Sequence, residues 1–489
     1  MFLIKNVILL NAVNVEIIVL LSPFLLIGIL LIGILLYQIS VKGVNAVNFS
    51  VLLSLGIIFI YAFIPVYFFL NPAPFQEFYD LRGTKLNLHN ENLPWLRYFF
   101  VIFLSLTAIF FANLIPVKYN NAKQKLLDIK EVNWRFHLQL LNSLLFITVI
   151  LIIILFFSYG GPLSYISQSL TARHLGVEAD VTSFAFLKRL VHPLSLITML
   201  FSFSFYAYIE MINSSMHKFK LRSKLAIIVS TTLFVFLAIS SGGREFLLFG
   251  VIQAIFCFRF FKKIKTPYVV ASFLLIGIIL IYGKPLFGAV ATYFSEDFEE
   301  AVNTFNILST NPYITPQGGA AIFRFFINYS QHLVFIITDF ENYRLLWMDI
   351  YNVVYSVWPR AIFDPGLRLQ MPIEITSLHI TDGLNEKAGS LPGLLVFFGM
   401  IAGWWLIPVF VFIFTFSVRS FLAYLQNKNT PFLSALYTLI LFYCVSFIWD
   451  GEPVHFANFI FPVFIVFIIY FVLKTISQLK MTEKVSETC

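Results

Sequence analysis

Residues 17–37 read IIVLLSPFLLIGILLIGILLY, an apolar run without one charged side chain. A helix over this stretch, rising about 1.5 Å per residue, matches the roughly 30 Å hydrocarbon core of a bilayer. Working outward, Val51–Leu70, Leu96–Pro116, Leu138–Ser158 and Phe456–Lys474 approach the same length. Val191–Ile212, Leu225–Ser240, Glu245–Phe261, Pro267–Gly283, Pro392–Val418 and Phe432–Trp449 are further candidates. The composition agrees: 59% hydrophobic, 18% aromatic and 12% charged over 489 residues is more apolar surface than a soluble interior can hide. The expectation is an all-α polytopic membrane protein with about eleven transmembrane helices, or about twelve if the weak stretch Met1–Val15 also crosses or re-enters.

The net charge of +8 does not form a patch suited to nucleic acid, and no nucleic-acid partner is expected. The cations fall in alternate gaps between spans. Lys118, Lys123, Lys125, Lys130 and Arg135 share one gap, Lys218, Lys220, Arg222 and Lys224 a second, and Arg259, Lys262, Lys263 and Lys265 a third. Arg419, Lys428 and a tail carrying Lys474, Lys480 and Lys484 fall on the same side. The positive-inside rule makes that side, and the C-terminus, cytoplasmic. Most acidic residues occupy the opposite gaps, and the N-terminus is expected outside. The first apolar run lacks a basic leader and a small-residue cleavage site, so it reads as a resident helix.

Of three cysteines, Cys257 and Cys444 fall in predicted helices and Cys489 ends the tail, which leaves no external disulfide and no CxxC pair. Neither a Walker lysine loop nor GxGxxG occurs. No cofactor or metal site is expected.

The chain reads as a single membrane domain over residues 1–489, with one long external loop, Lys284–Leu391, between spans. A connection of about a hundred residues far exceeds what joining two helices requires, and such loops are usually functional. Within it Ala321–Ile327, Leu333–Ile337 and Leu345–Trp358 are apolar at roughly helical spacing, which suits short helices lying on or dipping into the membrane. Trp347, Tyr351, Tyr355 and Trp358 suit the headgroup level; the sharper alternative is that some of these rings stack on sugars.

Three short segments carry candidate chemistry. Ser240-Ser241-Gly242-Gly243-Arg244-Glu245 is a tight outward turn that puts Arg244 at or just below the membrane surface. An ion there pairs or serves a function: Arg244 either anchors the helix through Glu245 or lipid phosphate, or grips a substrate phosphate through its planar fork. In Trp358-Pro359-Arg360-Ala361-Ile362-Phe363-Asp364-Pro365-Gly366 the prolines stiffen the backbone around Arg360 and Asp364, which otherwise form an ordinary surface pair. Gly389-Ser390-Leu391-Pro392-Gly393, followed by Phe397-Phe398-Gly399, returns the loop to a span. Arg173, Lys284, Arg324, Arg344 and Arg368, with His174, His332 and His379, are further outward cations or near-cations; several facing one cavity make an anion site. Candidate bases are Glu245, Asp339, Glu341, Glu374, Glu386 and the three histidines, and nothing in the sequence ranks them.

In this order, these segments resemble the Wzy-type oligosaccharide repeat-unit polymerases of bacterial O-antigen and capsule synthesis. The resemblance covers most of the chain. It is carried by the Ser-Gly-Gly-Arg turn ending at Arg244, by Trp358-Pro359-Arg360 with Ile362-Phe363-Asp364-Pro365, by Gly389–Gly393 with Phe398-Gly399, and by many spans with one long late outward loop. Similar proteins often carry a glutamate after the glycine matching Gly393, where this chain has Leu394 and Leu395, so the resemblance supplies no base there.

The resemblance implies an inverting, metal-independent glycosyltransferase of the bacterial inner membrane. It would join undecaprenyl-diphosphate-linked oligosaccharides, with membrane lipids and a chain-length regulator protein as further partners. Arg244 and Arg360 would stabilise the departing diphosphate and Glu245 serve as a base, with Arg173, Arg324, Arg344, His332 and His379 binding substrate. The long loop would bring Arg360 toward Arg244. Two other classes fit the layout less well. A lipid-linked oligosaccharide flippase needs ionisable groups through the midplane of many spans, and these spans are nearly charge-free. An O-antigen ligase would use the same donor on a different acceptor.

Overall fold

A computed structural model describes residues 2–42, 48–73, 75, 88, 94–117, 134–174, 185–212, 217–240, 244–262, 266–295, 297–310, 326–346, 349, 372–380, 391–426 and 430–486. In chain order the helices are α1 (Phe2–Lys42), α2 (Phe49–Leu70), α3 (Trp95–Leu114), α4 (Trp134–Ser158), α5 (Pro162–His174), α6 (Ala185–Ile212), α7 (His217–Ser240) and α8 (Arg244–Arg259). There follow α9 (Thr266–Ser295), α10 (Phe298–Thr310), α11 (Ile327–Thr338), α12 (Phe340–Tyr343), α13 (Pro372–Ile380), α14 (Leu394–Ala402), α15 (Ile407–Gln426), α16 (Pro431–Asp450) and α17 (Pro453–Ser486). No strand occurs among the described residues.

Among the described residues eight helices are long and apolar enough to cross a membrane, and Phe246–Arg259 and Phe461–Ile476 are shorter apolar helices. The chain is an all-α, multi-pass membrane protein. In α1, Ile17, Leu21, Phe24 and Gly28 are buried, a single stripe at spacings of four, three and four, whereas Leu26, Leu30 and Leu36 are exposed. A helix that buries one stripe while the rest of its apolar surface stays bare belongs in lipid. The stretch Pro392–Val418, expected as one span, is instead α14 and α15, separated at Gly403. Its φ of +84° ends the first helix, a conformation glycine adopts without steric cost.

Two compact units divide the chain. The first comprises Met1–Tyr119, Pro316–Ala423 and Tyr443–Phe456. Its organising feature is a π-turn at Phe59–Phe63 in the middle of α2. Pro65 has no N–H to give the Tyr61 carbonyl, and the Ile64 N–H bonds back to Phe59 instead of Ile60, so two carbonyls lose their helical donors. The Tyr98 hydroxyl donates to the Tyr61 carbonyl at 2.8 Å and lies 3.0 Å from Ser330 Oγ, which donates to the Ile60 carbonyl at 3.4 Å. All these groups are buried. Helix α11, from the long loop, is thereby tied to α2 and α3, with Ser330, Gln331 and His332 all at most 1% exposed. This part of the loop, expected to lie on or dip into the membrane surface, is packed inside the unit. Elsewhere in the unit the Arg419 guanidinium donates to the Ala112 and Ile115 carbonyls, closing the end of α3.

The second unit comprises Asn120–Thr315, Tyr424–Phe442 and Ala457–Cys489. Its core helix α6 is held by short hydroxyl contacts that also return to its own backbone. Thr148 meets Thr198 at 3.1 Å, and Ser230 donates to Ser202 at 3.1 Å. Small hydroxyl residues let helices approach closely and satisfy each other in a bilayer. At one end of α6, Glu210 accepts from Tyr206 and pairs with Lys262 at 2.5 Å and with Lys220. The first part of the long loop belongs here: α9 runs on past Lys284 to Ser295, and α10 folds back along it. Asp297 caps α10 by accepting from the Glu300 N–H at 2.8 Å, and Thr292 meets Thr304 at 3.2 Å.

Candidate functional site

In the second unit, the end of α6 opposite Glu210 carries a cluster of ionisable side chains. The chain leaves α4 through Gly160 and Gly161, both at positive φ, and reverses into α5. This lays Tyr165 into an apolar cluster with Ile152, Leu155, Leu187, Val191 and Leu237. Its hydroxyl reaches His192 Nε2 at 3.2 Å. Burial pushes the Tyr165 phenol up to about 12, against smaller opposing pulls from Ser240 and Ser169. The phenol is therefore a neutral hydrogen-bonding group throughout the physiological range. Lys188, one turn before His192, donates to Ser169 at 3.1 Å and lies 5.7 Å from the centre of the Tyr165 ring.

The cluster sits against the start of α8. The His192 ring packs on Phe246 at 5.6 Å, and Phe234 packs on the same ring at 4.9 Å. Phe246 is two residues beyond Arg244, which opens α8, so His192 packs on the first turn of that helix. Chemically, the Lys188 ammonium and the start of a helix both favour an anion.

The first unit carries a second cluster with the opposite character, at the turn from α16 to α17. His455 Nδ1 and Asp450 Oδ1 are 3.0 Å apart. The buried Glu452 accepts from the Ile373 N–H at 2.9 Å, which puts a carboxylate on the first turn of α13 and satisfies one of its open donors. Two glycines set this turn. Gly393 and Gly451 have φ of +75° and +59°, the Gly393 N–H donates to the Asp450 carbonyl at 3.3 Å, and a Cβ on Gly451 would collide with the Gly393 backbone. Tyr61 lies on the other side of Gly393, near the N–H groups of Leu395 and Val396 at the start of α14. Gly393, the end of the return segment, thus lies at a backbone-to-backbone crossing, and Leu394, which stands where similar proteins carry glutamate, is fully buried.

The predicted site residues divide between these units. Arg244 and Glu245 occupy the first turn of α8 and Arg173 the last turn of α5, all in the second unit; their side chains lie outside the described residues. His332 is buried in α11, and Arg344 is exposed and pairs with Glu341 at 3.0 Å, both in the first unit. A half-exposed pair within one turn contributes little to stability. His379 closes α13, its side chain not described, and Arg360, Arg324, Arg368 and Glu386 lie outside the described residues.

Sequence reasoning passed over Lys188, His192 and Tyr165, and also Asp450, Glu452 and His455. Each set had a signal. Lys188 and Arg189 are cations at a span end that the charge pattern assigns outward, against the trend of the rest of the chain. Asp450-Gly451-Glu452-Pro453-Val454-His455 concentrates three ionisable residues in one short turn. No metal-binding group of histidine, cysteine and carboxylate side chains occurs among the described residues. No protein-family model, no curated protein and no solved structure matches this chain.

Proposed function

We propose that this chain is a membrane glycosyltransferase that joins lipid-diphosphate-linked oligosaccharide repeat units into a surface polysaccharide, as its resemblance to the Wzy-type polymerases implies. The protein would sit in the bacterial inner membrane with about eleven crossings and a cytoplasmic C-terminus. The observation that carries the reading is the Lys188 ammonium held beside Tyr165 and His192, with His192 packed on the first turn of α8, where Arg244 begins.

Breaking the bond from an anomeric carbon to a diphosphate releases a strongly anionic group, and preorganised cations in a region of low dielectric lower the energy of that developing charge. Arg244 supplies the bidentate donor, Lys188 a point charge, and the α8 start its N–H groups. Tyr165 and His192 hold the lysine-bearing turn in place. Arg360 keeps its assignment as a second charge-stabilising group on sequence alone. The acceptor hydroxyl must lose a proton as it attacks the opposite face of the sugar, which inverts the configuration. Glu245, next to Arg244, is the candidate base.

The test is Arg244→Ala in cells making the polysaccharide, with polymer length and membrane insertion both measured. Inserted protein with only single repeat units transferred supports the reading; a normal ladder of chain lengths sinks it. Externally presented lipid-linked repeats separate it from a flippase, which would make no longer glycan. Loss of all lipid A-linked glycan, rather than of the ladder alone, would point to a ligase.

A further inference from the structure

Within the second unit a cavity of about 520 Å³ runs along one face of α8. That helix contributes Leu247, Gly250, Val251, Ala254, Ile255 and Phe258, spaced by three, one, three, one and three residues, a single stripe parallel to its axis. The stripe covers eleven residue steps, about 16 Å at 1.5 Å per step, close to the roughly 15 Å depth of one leaflet of a bilayer core. The opposite wall includes Phe234, whose ring is pressed against Gly250, where any Cβ would strike it. The cavity is almost wholly apolar, and a lining stripe of this length suits an extended hydrocarbon chain better than a compact solute.

One end is charged. Lys262 lines the cavity and also pairs with Glu210 at 2.5 Å, while Lys220 meets the same carboxylate, so two ammonium groups face one carboxylate and one positive charge is in excess. Both lysines belong to gaps that the charge pattern assigns to the cytoplasm, where the leaflet is rich in anionic lipid.

We infer that this groove is a binding site for an anionic glycerophospholipid of the cytoplasmic leaflet, with one acyl chain along α8 and the headgroup phosphate at Lys262. The match of stripe length to a single leaflet favours an ordinary acyl chain over a much longer polyprenyl chain. The site uses none of the residues assigned to glycosyl transfer and stands or falls separately from that assignment.

The test is native mass spectrometry of the full-length protein in detergent, titrated with dioleoyl phosphatidylglycerol or dioleoyl phosphatidylcholine. The wild type is expected to hold one phosphatidylglycerol about fivefold more tightly than phosphatidylcholine, the discrimination that one lysine near a membrane surface supplies. Lys262→Ala should bring phosphatidylglycerol down to the phosphatidylcholine level, and Ala254→Phe, which fills the groove, should remove the adduct. Lys474→Ala, at a lysine that does not line the groove, should leave it unchanged. Equal retention of the two lipids by the wild type would overturn the inference without reference to any variant. So would full phosphatidylglycerol binding in Ala254→Phe, or complete displacement by equimolar undecaprenyl phosphate.

Discussion

The turn from α16 to α17 in the first unit and the Tyr165 cluster in the second are both places where the chain emerges from one helix and enters another. They are held by different means. Around Gly451 the contact is backbone on backbone, with no side chain between the strands of chain, and what it presents is acidic: Asp450, Glu452 and an imidazole paired to Asp450. Around Tyr165 the contact is aromatic and imidazole packing, and what it presents is basic. A contact between backbones cannot relax, whereas a side-chain cluster can repack around a lost atom. The first turn is therefore expected to fail abruptly on substitution and the second by degrees.

The largest effect should come from Gly451→Ala. The new methyl group meets the Gly393 backbone in a left-handed conformation, and a loss of about 3 kcal/mol of stability is expected in thermal unfolding of the detergent-solubilised protein. Gly160→Ala is the matched control from the second unit, also at positive φ but with only Ser164 Oγ nearby, and should cost about 1 kcal/mol. Similar losses for the two would break the comparison.

Next is Asp450→Asn, which keeps the backbone acceptor for Gly393 and removes the charge from the imidazole pair; a loss of about 1.5 kcal/mol is expected in the same thermal unfolding. A loss as large as that of Gly451→Ala would mean that the ion pair, not the backbone crossing, holds the turn.

The smallest effect is expected from Tyr165→Phe, which removes the hydroxyl from His192 at a cost of about 1 kcal/mol. Its pH dependence sharpens the assignment. The folded phenol is raised to about 12 from an ordinary value of 10.0, so the unfolded chain releases this proton first. Stability from Tyr165 is complete below about pH 10 and is lost as pH rises toward about 12. The difference between wild type and Tyr165→Phe should shrink and then reverse in sign across that window, and a gap that is flat with pH would mean that the phenol is not held neutral by burial.

The membrane character and the positions of most long helices were legible because each depends on a local run: residues 17–37 need no partner to be recognised. The break at Gly403 was harder, since a glycine inside an apolar stretch is tolerated by a helix as often as it ends one. Burial of α11 was not legible at all. Ile327–Thr338 carries Ser330, Gln331 and His332, a polar run that reads as a surface feature until Tyr98 and the π-turn of α2 are known to surround it. For the site, the turn before Arg244 announced itself through its glycines and its ion, yet His192, which packs on Phe246 just after it, lies far away in sequence, and Tyr165 reaches His192 only through the reversal at Gly160 and Gly161.

The π-turn has a consequence in time as well as in space. Where α2 takes up its π-turn, two carbonyls are left that its own backbone does not satisfy, and the Ser330 hydroxyl that serves Ile60 is made 270 residues later. At about 5–20 residues per second that interval is on the order of ten to fifty seconds, during which a bare acceptor in hydrocarbon must be covered by water, by lipid headgroups or by an insertion factor. Biogenesis of this protein thus contains a built-in delay, closed only when the late loop returns to the early hairpin.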